Sequence, residues 1–170
     1  THFEHNGKRF NVIDTPGYPD LIGQAIGALR AVDTAAIFVE ASAGIKVNTR
    51  RAWSEAGKAG CGRIIVLTKL DTDNIDFPGL IDNIKEVFGN SCALLNVPLG
   101  ISDSLRGVAS TLEVPDDTEG AVIDPAGINE SLVESIIEVD EAVMERYCEG
   151  ELPSSEQLGQ LMVQSIAAGS

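Results

Sequence analysis

Short unbroken apolar runs alternate with helix-spaced apolar residues along the first hundred residues. The runs at 35–39 and 64–67 have no polar interruption, which is typical of strands covered on both faces. Around them, apolar residues recur at helical spacing over 20–32, 47–59 and 79–88. This order of strands and helices predicts βαβ units, and therefore an α/β fold with a mostly parallel sheet and helices on both faces.

The first thirteen residues are predicted to form a β-hairpin. Asn6-Gly7 separates the runs 1–5 and 8–13. This dipeptide is a strong signal for a two-residue turn between paired strands.

The character of the sequence changes near residue 100. A further strand is predicted at 93–98, and residues 102–128 are acidic and rich in turn residues, which predicts hairpins or irregular structure. We therefore interpret residues 1–100 as one domain and residues 101–170 as an inserted or appended acidic subdomain.

The last part of the chain is predicted to be helical. A single long helix is predicted over 129–149, and Ser154 with Gln157 forms a capping-box signal for a final helix. The apolar stripe of the long helix consists of Leu132, Val133, Ile136, Ile137, Val143, Met144 and Tyr147.

Net charge separates the two parts of the chain more clearly than composition does. The chain is 44% hydrophobic and 22% charged, which is ordinary for a globular protein, and no apolar run reaches the length of a membrane span. Residues 1–71 carry nine Lys/Arg against seven Asp/Glu, whereas residues 72–170 carry three against nineteen. The acidic part does not suit nucleic acid; it is either a solvated face or a docking surface for a basic partner.

Cysteine and histidine do not form a metal-binding pattern. Cys61, Cys92 and Cys148 are far apart and odd in number, which argues against a disulfide framework and against a zinc site. We interpret them as reduced thiols in a cytoplasmic protein, and we interpret His2 and His5 as surface residues of the hairpin.

The first candidate site is Asp14-Thr15-Pro16-Gly17, which follows the predicted hairpin. An Asp at the end of a strand can hold Mg²⁺, often through a water molecule, because this ion prefers oxygen ligands and keeps much of its hydration. A Gly three residues later lets the backbone approach a phosphate, so that its N–H can donate a hydrogen bond. The alternative is a turn that ends the strand, with Asp14 in ordinary turn chemistry.

The second candidate site is Thr68-Lys69-Leu70-Asp71, directly after the run at 64–67. A carboxylate here can accept two parallel hydrogen bonds from the N1–H and the exocyclic amine of guanine, and adenine offers no such pair of donors. The Lys69 stem can pack along the base while its ammonium stays solvated. The alternative is a polar surface loop.

Both motifs follow predicted parallel strands, and ligands of open α/β sheets bind beyond the carboxyl ends of such strands. Their order, D-x-x-G and then [NT]-K-x-D, is the pattern of P-loop GTPases. Within that class, nearly the whole chain resembles the elongation factor G family. The segments that carry the resemblance are 14–21, 31–35, Val39, 44–45, 51–53, 88–89, 98–101, 138–141 and 144–151.

The resemblance implies an incomplete Ras-like GTPase core with an inserted α/β subdomain. It implies GTP or GDP and Mg²⁺ as ligands, with Asp14 holding the ion, and GTP hydrolysis on the ribosome during translocation or a related step of elongation. The GTP-binding residues that it implies are Asp14, Thr15, Pro16, Gly17, Tyr18, Thr68, Lys69, Leu70 and Asp71.

The resemblance also implies partners. The inserted subdomain of this family contacts the ribosomal stalk protein, so the acidic part of the chain becomes a candidate surface for it. We expect a cytoplasmic monomer that binds the ribosome, with no membrane and no sequence-specific nucleic acid as partner.

Tyr18 departs from the pattern of the family. Elongation factors of this class place a His there, which orients the attacking water in phosphoryl transfer. A phenol with a pKa of about 10 can hydrogen-bond water but does not become a cation near pH 7. We therefore expect hydrolysis to be slowed or to depend on other groups, and in this residue the chain resembles an elongation factor G-like paralogous branch.

The phosphate-binding loop G-x-x-x-x-G-K-[ST] is not found in residues 1–170. Neither Gly-Lys pair, at 7–8 or at 57–58, is followed by Ser or Thr. The first switch is likewise not recognisable, and the base-contacting Ser-Ala motif of the family would fall beyond residue 170. We expect an internal piece of a longer protein that binds nucleotide poorly or not at all by itself.

Two alternatives to an elongation GTPase stay open. One is a ribosome- or protein-binding module derived from a GTPase that has lost catalysis. The other is a GTPase of a different translation class, such as a peptide-release or ribosome-protection factor, with the same core and different downstream domains.

Overall fold

The computed structural model describes residues 1–138 and 140–168. Val139, which falls in a segment of the family resemblance, and Gly169 and Ser170, at the end of the predicted subdomain, lie outside the described residues. The chain forms two compact units. The first comprises residues 1–38 and 46–66, and the second comprises residues 39–45 and the described residues from 67 onward.

The first unit begins with the predicted hairpin. Strands β1 (His2–His5) and β2 (Lys8–Asn11) pair antiparallel. Asn6 and Gly7 have φ values of 50° and 71°, which is the left-handed backbone that a two-residue hairpin turn requires. The prediction of a hairpin is confirmed, and His2 and His5 are exposed as expected.

A βαβ arrangement follows the hairpin, as the alternating pattern predicts. Helix α1 (Ile22–Ala28) lies between two short 3₁₀ turns and precedes strand β3 (Thr34–Glu40). Helix α2 (Val47–Lys58) then leads into strand β4 (Gly62–Thr68), which pairs with β3.

Hydrogen bonds at both ends of β3 and β4 fix the direction of their pairing. Gly62 N–H donates to the Asp33 carbonyl at 2.9 Å where both strands begin, and Ala41 N–H donates to the Thr68 carbonyl at 2.9 Å where both end. The two strands therefore run parallel, as predicted.

The second unit contains a helix and a second pair of strands. Helix α3 (Phe77–Phe88) is followed by strands β5 (Asn96–Leu99) and β6 (Gly107–Ser110), which pair antiparallel. The described strands thus form one parallel pair and two antiparallel pairs rather than one continuous sheet. The predicted strand at 93–98 begins three residues later, where the ladder with β6 starts.

Three helices close the chain, and here the prediction of one helix over 129–149 is wrong. The chain forms α4 (Pro125–Ile137) and α5 (Glu141–Cys148) instead. The physical reason is Asp140, whose carboxylate accepts hydrogen bonds from the N–H groups of Ala142 at 3.0 Å and Val143 at 3.2 Å. A side-chain cap of this kind starts a new helix.

The last helix, α6 (Ser155–Ala168), has the predicted cap. Ser154 N–H donates to Gln157 Oε1 at 3.1 Å, and Gln157 N–H donates to Ser154 Oγ at 3.3 Å. The three helices bury one apolar core, and it contains the predicted stripe. Its buried members are Leu132, Val133, Ile136, Ile137, Val143 and Leu161, with Met144 and Tyr147 packed against them.

Candidate functional site: two loops beyond the ends of strands

The two predicted motifs belong to different units. The D-T-P-G loop (Asp14–Gly17) lies in the first unit, and the T-K-L-D loop (Thr68–Asp71) lies in the second. Each loop has its own set of contacts.

The D-T-P-G loop leaves the open end of the hairpin. Val12 N–H donates to the Thr1 carbonyl at 2.8 Å and the Thr1 amino group donates to the Val12 carbonyl at 3.0 Å, so the pairing continues beyond β1 and β2. Asp14 and Gly17 are exposed, and a Cβ added at Gly17 would meet no described atom within 4 Å. The space beside the Gly17 backbone is therefore open to a ligand.

Tyr18 is held by its backbone and not by packing. Its carbonyl accepts a hydrogen bond from Leu21 N–H at 3.0 Å, which closes a 3₁₀ turn with Pro19 at the first position. Its side chain is 75% exposed. The phenol is thus available to water or to a ligand at the end of the loop.

Thr68 ties the beginning of the T-K-L-D loop to strand β3. Its carbonyl accepts the hydrogen bond from Ala41 N–H, and its hydroxyl donates to the Val39 carbonyl at 3.4 Å. The single hydroxyl that Thr offers in place of Asn is therefore engaged with protein backbone.

Lys69 has a left-handed backbone and a side chain that pairs with an acidic residue. Its φ is 57°, a conformation that costs a residue other than glycine about 1 kcal/mol. Thr72 offsets this cost, because its N–H and its hydroxyl both donate to the Lys69 carbonyl, at 3.3 and 2.9 Å. The Lys69 ammonium pairs with Glu40 Oε2 at 3.1 Å.

Glu40 is a site residue that the sequence analysis missed. It is the last residue of β3, and no motif marks it. Its position was a weak signal. Glu40 ends the strand before β4, and the ends of neighbouring parallel strands lie at the same edge of a sheet, so Glu40 could be expected near the T-K-L-D loop.

Asp71 is the exposed end of the T-K-L-D loop. Within residues 1–138 and 140–168, no hydrogen bond or ion pair involves its carboxylate. A carboxylate with all its acceptor positions open is suited to a ligand that presents two neighbouring donors.

The residues present also fit Mg²⁺ at the first loop. Asp14 is a single exposed carboxylate, and no cluster of three acidic, His or Cys residues suited to a metal occurs in the described part of the chain. One carboxylate is enough for Mg²⁺, which keeps several waters and takes its other oxygens from nucleotide phosphates. Asp14 would hold it, and the ion would neutralise phosphate charge.

A parallel strand pair, a D-x-x-G loop and a [NT]-K-x-D loop together define a guanine-nucleotide-binding domain of the P-loop GTPase class. Comparison with known families agrees. The model of the elongation factor Tu GTP binding domain matches residues 1–164, and the chain belongs to this family of translation-factor GTP-binding domains.

A solved structure gives the same fold. The crystal structure of a protein from Thermus thermophilus superposes with a TM-score of 0.81 at 29% sequence identity. The match covers 98% of this chain but 27% of the Thermus chain, so this chain spans about a quarter of that protein's length. The mixed α/β GTPase fold that the sequence predicts is therefore confirmed.

The described helices include none with the length and apolarity needed to cross a lipid bilayer.

Proposed function

We propose that this chain is the central part of the GTPase domain of an elongation factor G-type translation factor. The parent protein would bind GTP or GDP and hydrolyse GTP on the ribosome during translocation or a related step. The observation that carries the proposal is the T-K-L-D loop, in which Asp71 keeps an open carboxylate while the backbone around it is anchored.

Asp71 supplies base selection in this proposal. Its two oxygens accept hydrogen bonds from the N1–H and the exocyclic amine of guanine, and bonds to an ionised acceptor are among the stronger ones. The Lys69–Glu40 ion pair is compatible with the same role, because it engages the ammonium and leaves the apolar stem of Lys69 to cover the face of the base.

The D-T-P-G loop supplies phosphate binding. Gly17 can donate its N–H to a phosphate oxygen because, within residues 1–138 and 140–168, this N–H makes no hydrogen bond, and no atom stands where a side chain would be. Asp14 would hold Mg²⁺, and the Tyr18 hydroxyl would hydrogen-bond the attacking water.

A second candidate function is a binding module that has lost catalysis. Tyr18 favours it, since a phenol cannot become the cation that an imidazole provides near pH 7. The lack of a G-x-x-x-x-G-K-[ST] loop within residues 1–170 supports the proposal that this chain alone is inactive.

The acidic part of the chain is the proposed surface for the ribosome. We place the boundary of the inserted subdomain at residue 100, with 1–100 as GTPase core and 101–170 as subdomain. Three Lys/Arg against nineteen Asp/Glu over residues 72–170 suit a basic partner such as the stalk protein. The proposed state is a cytoplasmic monomer.

Calorimetric titration of Mg·GDP and Mg·ADP tests the proposal. Both are titrated into this chain and into the complete gene product. We expect binding by the complete product alone, with a clear preference for GDP. A complete product that binds neither nucleotide would overturn the GTPase and leave the binding module.

A further inference from the structure

A serine outside both motifs holds the T-K-L-D loop in place. Ser102 N–H donates to the Leu70 carbonyl at 2.8 Å, and Ser102 Oγ donates to the Thr72 carbonyl at 2.6 Å. Leu70 and Thr72 are the two neighbours of Asp71 in the chain. One residue, about thirty positions later in sequence, therefore holds the peptide group that precedes Asp71 and the carbonyl of the residue that follows it.

The turn that carries Ser102 has little freedom to move. Gly100 has φ 86°, and a Cβ added there would lie 2.1 Å from the Ser104 carbonyl oxygen, so that only glycine allows this close packing. Gly100 N–H donates to the Gly120 carbonyl at 2.8 Å, and Ser104 Oγ donates to the Ile101 carbonyl at 2.6 Å. Ser102 thus projects from a fixed turn directly after β5.

Ser102 itself adopts a left-handed backbone, with φ 52°. Serine is uncommon in this conformation, and a residue held there signals a functional or structural constraint. The constraint visible here is the pair of hydrogen bonds to the loop, because this backbone lets N–H and Oγ reach two carbonyls at once.

We propose that Ser102 is a positioning residue for guanine selection. The inference rests on the proposed function, in which Asp71 accepts both hydrogen bonds from the base. Two parallel bonds require both carboxylate oxygens to lie in the plane of the base, so a rotation of the backbone between Leu70 and Thr72 weakens one bond before the other. Ser102 prevents that rotation.

The substitution Ser102→Gly tests this role in the complete gene product. It removes the hydroxyl, keeps the N–H, and suits the φ of 52°. Affinities are measured for GDP and for IDP, which lacks the exocyclic amine. We expect the GDP:IDP affinity ratio to fall about threefold to tenfold, which corresponds to losing part of one hydrogen bond to a charged acceptor.

The ratio separates positioning from a merely structural role. GDP and IDP share ribose and phosphates, so general damage to the site lowers both affinities and leaves the ratio unchanged. Ser110→Ala is the matched control, because the Ser110 hydroxyl accepts a hydrogen bond from Glu113 N–H at 3.2 Å and touches neither loop. The control should keep the wild-type ratio.

Ser102→Asn provides the rescue. Asn tolerates a left-handed backbone and carries a side-chain N–H that can donate to the Thr72 carbonyl. We expect it to restore most of the ratio. A wild-type protein without guanine preference would overturn both the proposed function and this inference. A wild-type protein that selects guanine, with an unchanged ratio in Ser102→Gly, would overturn this inference alone.

Discussion

Replacing the Asp71 carboxylate by an amide is the sharpest test of guanine recognition. Asp71→Asn keeps the size of the side chain and removes its charge. Asp71 is exposed, and no contact of its carboxylate stabilises the described part of the chain. The loop is anchored through backbone carbonyls and through Ser102, so we expect the free energy of unfolding to change by less than about 0.5 kcal/mol.

The loss should therefore fall on nucleotide binding alone. The carboxylate accepts two hydrogen bonds from guanine, and each bond to a charged acceptor contributes about 1.5–3 kcal/mol. The Asn amide keeps one acceptor and turns an N–H₂ group toward the guanine amine, so donor meets donor. A loss of about 3 kcal/mol or more follows, which is a fall in GDP affinity of about a hundredfold. Xanthine carries a carbonyl in place of the amine, so XDP should gain affinity.

The measurement is calorimetric titration of Mg·GDP and Mg·XDP into the complete gene product. Asp73→Asn is the matched control, because Asp73 is also exposed, lies two residues further on, and carries the same charge. An Asp71→Asn protein with an unchanged GDP:XDP ratio would refute the base-reading role. Equal losses in both variants would instead point to general damage to the loop, because removing a negative charge should by itself favour an anionic nucleotide.

Three further predictions concern catalysis, the helical core and a surface ion pair. Tyr18→His should raise the ribosome-stimulated GTP hydrolysis rate of the complete gene product about tenfold or more, because imidazole is the stronger proton-transfer group near pH 7; an unchanged rate would mean that another group orients the water. Ile137 is fully buried, so Ile137→Ala should lower the free energy of unfolding of the protein by about 2–5 kcal/mol, measured by urea titration. An unshifted urea midpoint would contradict the packing of this side chain. A side-chain hydrogen bond from Lys58 at 2.8 Å lowers the pKa of Glu55 in the folded protein. The stability that this pair contributes is therefore present above the pKa of Glu55 in the unfolded chain, and it is lost as pH falls through the lowered pKa of the folded state. In Lys58→Met the pKa of Glu55, measured by NMR, should return toward the ordinary Glu value. A Glu55 pKa that stays low would contradict the hydrogen bond as its cause.

Sequence patterns correctly predicted the elements of the fold that interactions between nearby residues determine. The Asn6-Gly7 turn and the Ser154 cap follow from signals within a few residues, and the parallel pair follows from the order of strands and helices. The helix over 129–149 failed because its apolar stripe continues through the break after α4. Asp140 was the missed signal, since an Asp just before an apolar stretch is a common helix cap.

The motifs of the candidate site were predictable, but their anchors were not. Thr68–Asp71 follows β4 as expected, because the strand and the motif are adjacent in sequence. Glu40 and Ser102 reach the loop from about thirty residues before and after it. No periodicity or propensity records such contacts, because the contact of Glu40 arises from the pairing of β3 with β4, and the contact of Ser102 arises from how the turn after β5 packs against the loop.

The anchors of the T-K-L-D loop explain why its ligand-binding end is free. The hydrogen bonds that hold it use the carbonyls of Thr68, Lys69, Leu70 and Thr72, and the partner side chains are a Thr and a Ser. Among the described residues, no charged group of the motif fixes the backbone, and the ion pair of Lys69 with Glu40 leaves the Lys stem uncovered. One set of atoms therefore holds the backbone of the loop in place, and a different set recognises the base. A change at an anchor should alter how well the site distinguishes bases, whereas a change at Asp71 should alter which base it prefers.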